Sequence, residues 1–216
     1  MLRNLTSKTA PLAVIALALA MLFTAAPAAA ETRGDPEAGR EAAQACAACH
    51  GQDGQGIGPE YPNLGGQHYT YLLRQMRAFR SGDRYAVLMA GQLDNASDED
   101  LRNMAAFYAE QPIAEGVSEA DQEVLELGEL IYRAGLREKG VAACIGCHSP
   151  GGYGNGPAGF PMLTGQPVEY TMLQLKAYRD GERDTDSGMG NMMQGVVRNL
   201  NDREIEAVAE YIRGLH

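Results

Sequence analysis

The pentapeptide Cys-x-x-Cys-His occurs twice in this chain of 216 residues, as "CAACH" at 46–50 and "CIGCH" at 144–148, and it uses all four cysteines. Two Cys-x-x-Cys loops, each closed at once by histidine, form the attachment pattern of c-type haem. Each thiol can add to one haem vinyl group as a thioether. The next residue, His50 or His148, is then carried beneath the ring, where its imidazole can bind iron. Other uses of four cysteines fit less well. Disulfides leave the adjacent histidines without a role. A thioredoxin-like redox pair needs neither the histidine nor a second copy, and no βαβ pattern surrounds these motifs. A four-cysteine zinc site also leaves both histidines unexplained.

The amino terminus reads as an export signal. Arg3 and Lys8 precede an apolar run from Leu12 to Phe23, and "APAAA" stands before Glu31. The run is too short to span a bilayer, which takes about 20 residues. Cleavage after Ala30 is expected to release a mature chain with 16 basic and 28 acidic residues, a net charge of −12. That charge argues against nucleic acid as a partner and suits a well-dispersed exported protein. Residues 31–116 and 117–216 each come to −6, so no steering by charge asymmetry between the halves is expected.

The rest of the chain repeats with the motifs. "PNLGGQ" at 62–67 echoes "PMLTGQ" at 161–166, and "YLLRQMRAFRSGDR" at 71–84 aligns without a gap to "YTMLQLKAYRDGER" at 170–183. After a five-residue insertion, "NASDEDL" at 95–101 meets "NLNDREI" at 199–205. The chain is thus a duplicated unit joined through residues 109–120, where Pro112 and Gly116 fall.

Helical periodicity runs through each half, and no stretch sustains period-two alternation. Leu72, Leu73, Met76 and Phe79 form an apolar stripe over 69–80. Ser97 with Asp100 three residues on predicts a capped helix to about Glu110. Asn201 with Glu204 predicts its counterpart, with Val208, Tyr211 and Ile212 as the stripe. Short helices are expected around 36–46 and 119–134, ahead of each motif. The expectation is all-α: two small domains with thin cores, each completed by the apolar volume of a haem.

Iron bound by one histidine wants a sixth ligand. Methionine is the usual partner in cytochromes c. Met76, Met104 and Met172 fall on apolar stripes and read as core filler. Met89 and Met193 each stand eight residues before a proposed cap, Ser97 or Asn201, and map onto one another. Met192 and Met189 lie beside Met193 but break that register, so Met193 is preferred. His68 has no counterpart in the repeat and reads as a surface or cap residue. Pro59 and Pro157, each nine residues after a motif histidine, offer carbonyls that could orient its Nδ1–H.

With its two motifs, its paired methionines, "PNLGGQ" and the closing "YIRGLH", the mature chain resembles cytochrome c4 along essentially its whole length. The resemblance implies a signal peptide over 1–30 and two tandem class I cytochrome c domains over 31–116 and 117–216. It implies haem propionate edges facing each other across a pseudo-twofold interface. It assigns Cys46, Cys49, His50 and Met89 to one covalently bound haem c, and Cys144, Cys147, His148 and Met193 to the other. The implied role is a periplasmic electron carrier from the cytochrome bc1 complex towards a terminal oxidase, with no small-molecule substrate and with possible peripheral membrane association. The alternatives are a dihaem subunit held by a flavocytochrome dehydrogenase and, further off, a dihaem peroxidase.

Overall fold

Local sequence determines where the long helices begin and end. In this computed structural model, which describes residues 32–184, 188 and 190–215, helix α1 spans Pro36–Ala42 and starts under an Asp35 cap, with proline in its first turn. The predicted leader over 1–30, Met189 and His216 lie outside the described residues. A 3₁₀ turn, Gln44–Cys46, leads into the single turn α2, Ala47–His50. The predicted stripe becomes α3, Tyr69–Ser81, stopped by Gly82 in the left-handed conformation. Helix α4, Asp98–Ala109, opens with Ser97 and Asp100 in a reciprocal capping box.

The second half repeats the order. It contains α5 (Gln122–Ala134), the motif turn α6 (Ile145–His148), α7 (Val168–Asp180) and α9 (Asp202–Arg213), the last with a capping box from Asn201 and Glu204. Between them sits α8, Met192–Val197, which the sequence reading missed because six residues are too few to show a period. Among the described residues there are isolated bridges, Leu136 with Val141 and Asn155 with Phe160, but no named strand. The all-α expectation is met.

Each half has its own core. In the first, α1 and α3 pack on α4, burying Leu72, Leu73, Leu101, Met104 and Phe107. In the second, α5 and α7 pack on α9, burying Ile131, Tyr132, Tyr178, Ile205, Val208 and Ile212. The helix crossings need glycine. A Cβ on Gly39 would lie 2.0 Å from the Asn103 carbonyl oxygen, and one on Gly128 would lie 2.1 Å from that of Ala207. These contacts bring α1 onto α4 and α5 onto α9 at backbone distance.

The two halves meet through buried polar side chains that answer one another at the 99-residue offset. Gln67 donates to the Met162 carbonyl (2.8 Å) and accepts the Met162 N–H (2.9 Å). Gln166 does the same to Asn63, donating to its carbonyl (2.7 Å) and accepting its N–H (3.0 Å). Arg84 reaches Gln75, Gln174 and Tyr170, while Arg183 reaches Gln174, Gln75 and Tyr71. Each of these guanidiniums also lies 4.5 Å over an aromatic ring of its own half, Phe79 or Tyr178. Burial opposes ionisation of Tyr71, but the guanidiniums of Arg183, Arg84 and Arg74 outweigh it and hold the phenol below the ordinary tyrosine value.

Candidate haem centres

Each motif folds as a short helical turn, which brings its cysteines and histidine onto one local frame. No disulfide joins Cys46, Cys49, Cys144 or Cys147. Burial raises the Cys46 thiol above its ordinary pKa and pushes Cys144 up to about 11. Among the described residues no three His, Cys, Asp or Glu side chains gather to hold a bare metal ion.

His50 and His148 are buried, 7 % and 5 % exposed. Burial lowers both imidazole pKa values and outweighs the opposing hydrogen bond to a proline carbonyl. The neutral imidazole is the form that binds iron. His50 Nδ1 lies 3.0 Å from the Pro62 carbonyl oxygen, and His148 Nδ1 lies 2.9 Å from that of Pro161. Donation from Nδ1 leaves Nε2 as the atom with a lone pair for a metal. The donor set therefore suits haem iron.

These partners correct the expectation of Pro59 and Pro157. Equal spacing after each histidine favoured that pair, but the chain turns so that the Pro59 carbonyl accepts the Tyr170 N–H across the interface (3.0 Å). The prolines that do the orienting open the repeated "PNLGGQ" and "PMLTGQ" segments, a signal already visible in the sequence.

Met89 ends the 3₁₀ turn Val87–Met89 and is half-buried against the first core, which Cys46 also borders. Met193 is half-buried against the second core, which Cys144 also borders. Met192, one residue earlier on α8, is 39 % exposed. His68 occupies the N-cap position of α3, and its Nε2 donates to the Tyr153 carbonyl of the other half (2.8 Å). Behind the second motif, the buried Tyr132 of α5 donates to the Ser149 carbonyl (2.7 Å), tying the main helix pair to the histidine turn.

A family model described as cytochrome c matches residues 36–112 and again 128–216. The cytochrome c4 of Azotobacter vinelandii is 41% identical over 196 residues, covering 87% of this chain and 92% of that protein. A protein of Stutzerimonas stutzeri named as a thiosulfate dehydrogenase electron acceptor is 36% identical, covering 79% of this chain and 78% of its own. The crystal structure of reduced recombinant cytochrome c4 from Pseudomonas stutzeri superposes with a TM-score of 0.80 at 41% identity, over 85% of this chain and all of that one. With the thiol pairs, buried imidazoles and duplicated helical frame, these likenesses mean that the chain belongs to the cytochrome c4 family of dihaem electron-transfer proteins and carries two covalently bound haem c groups.

Proposed function

We propose that the protein is an exported electron carrier of the respiratory chain, taking electrons from the cytochrome bc1 complex and passing them to a terminal oxidase. In this reading residues 1–30 are removed on export to the periplasm, and the mature chain divides into domains 31–116 and 117–216. Among the described residues no helix is long and apolar enough to cross a membrane.

Cys46 and Cys49 hold the first haem, with His50 and Met89 on its iron. Cys144 and Cys147 hold the second, with His148 and Met193. Bound haem supplies a one-electron iron couple at each centre. The residues do the rest. The thioether pairs fix the groups in place, and the proline carbonyls orient the histidines and raise their basicity. Met89 and Met193 would supply sulfur ligands to the two irons, which would raise the potentials. Buried Arg84 and Arg183 put positive charge at the interface where the resemblance expects propionates. With a histidine and a methionine both bound, an iron would have no place for a substrate, which favours a carrier over a peroxidase. The observation that carries this reading is the twofold recurrence of a buried histidine held through Nδ1, on a turn that also bears two cysteines.

The test is a count and a titration of the exported protein. Two haems should remain attached after denaturation and acid–acetone extraction, and an optical redox titration should find no low-potential centre. An iron that binds cyanide or peroxide readily in the untreated protein would move the peroxidase reading ahead.

A second reading has its own support in the 36% identical relative named as an electron acceptor for thiosulfate dehydrogenase. In that reading the chain serves a dehydrogenase as its dihaem acceptor. A free carrier purifies alone; a dedicated subunit co-elutes with its dehydrogenase.

A further inference from the structure

The interface glutamines reach further than the contact between the halves. The carbonyl that accepts His50 Nδ1–H and the N–H that Gln166 accepts belong to one peptide group, the Pro62–Asn63 unit. The same holds on the other side. His148 Nδ1–H points to the carbonyl of the Pro161–Met162 peptide, whose N–H is accepted by Gln67. Each histidine is therefore linked to a glutamine of the opposite half through a single conjugated amide. The Gln67 and Gln166 side-chain amides then turn back to donate to the carbonyls of Met162 and Asn63, so each grips its loop at two points.

A peptide group whose N–H is accepted by a good acceptor carries more negative charge on its oxygen. Hydrogen bonds in series polarise one another, and the effect grows where water is excluded. The histidines, glutamines and Asn63 are all buried, as is Met162. A stronger carbonyl acceptor makes the imidazole a better donor to iron, and a better donor favours the oxidised state. We propose that Gln67 and Gln166 are reciprocal positioning residues, each lowering the reduction potential of the haem in the opposite half by polarising and fixing the peptide that holds its axial histidine. The inference rests on His50 and His148 as iron ligands.

If the glutamines only join the halves, their loss should loosen the interface without a crossed pattern of potentials. The relay predicts that pattern. In the haem-loaded protein, Gln67→Met should raise the potential of the second haem and leave the first in place. Gln166→Met should do the reverse. Haem methyl proton resonances, followed through a redox titration, report each haem separately. At a fixed poise near the midpoint, the ratio of reduced to oxidised form of the affected haem should rise severalfold. The unaffected haem is an internal control for folding. If Gln67→Met does not accumulate with both haems, Gln67→Asn, which keeps the amide and withdraws it by one methylene, should give the same upward shift. Unmoved potentials in variants that keep both low-spin spectra would overturn the relay, as would a shift confined to the variant's own half. A His148→Ala protein whose second haem keeps its parental low-spin spectrum would instead overturn the ligand assignment beneath it.

Discussion

Replacing Gly128 by alanine tests the geometry that supports the second haem centre. The new Cβ would sit 2.1 Å from the Ala207 carbonyl oxygen and 2.7 Å from the Tyr211 Cβ, where ordinary contact begins at 3.4 Å. Helices α5 and α9 must therefore part by about 1.3 Å, since the nearest obstacle is main chain and has no rotamer to change. Overpacking of this kind costs about 1–3 kcal/mol or more. Alanine returns about 1 kcal/mol through its helix propensity. The clash is at the severe end, so a net loss of about 2–3 kcal/mol is expected, or roughly 5–10 °C in Tm for a protein of this size. Gly195→Ala on α8 is the control, because a Cβ there meets nothing within 4 Å. It should hold or slightly raise the Tm. Thermal melts of the haem-loaded protein by circular dichroism make the comparison. A Gly128→Ala protein as stable as its parent would refute the backbone-distance crossing of α5 and α9.

Three further outcomes are expected. Met89→Ala should remove half of the weak near-infrared band that methionine sulfur gives on ferric low-spin haem, and Met193→Ala the other half, while Met192→Ala leaves it whole. Loss of that band in Met192→Ala would shift the ligand register by one residue. Glu204→Gln should cost about 1–2 kcal/mol in chemical denaturation, because its carboxylate caps α9 at Asn201 N–H and holds Lys139 at 2.6 Å. Burial opposes ionisation of Glu204, but Lys139 and the Asn201 N–H outweigh it and hold the carboxyl below the ordinary glutamate value. This stabilisation is full above the unfolded pKa of about 4.3 and is lost as pH falls through the lowered folded value, so parent and variant should converge in acid.

The elements with strong local signals were legible from residues alone. Ser97 with Asp100 and Asn201 with Glu204 marked two helix starts to the residue, because a capping box is decided within four positions. The Leu72–Phe79 stripe marked α3 within one residue of its end. At the candidate centres, the cysteines and histidines were legible because haem attachment demands a contiguous motif. Their supporting partners were not. Which proline carbonyl meets a histidine depends on how a dozen loop residues turn, and equal spacing pointed to Pro59 and Pro157 in place of Pro62 and Pro161. The interface was hidden for a related reason. Gln67, Gln75, Arg84 and Tyr71 reappear at 166, 174, 183 and 170, a polar repetition with no amphipathic explanation. Only the docked halves show that these residues meet each other.

Across the interface Gln67 and Gln166 grip main chain, not side chains, and this has a consequence for assembly. A grip on N–H and C=O is indifferent to the residue that carries them, as Asn63 on one side and Met162 on the other illustrate. Either half therefore presents both the gripping and the gripped surface, the property that defines an isologous contact in a homodimer. Two copies of one half would hold between them the complementary groups that the linked chain holds within itself. The connection through 109–120 then acts chiefly on effective concentration, converting a dimerisation into an intramolecular event. Once the halves were tethered, residues such as 63 and 162 could diverge without breaking the seam.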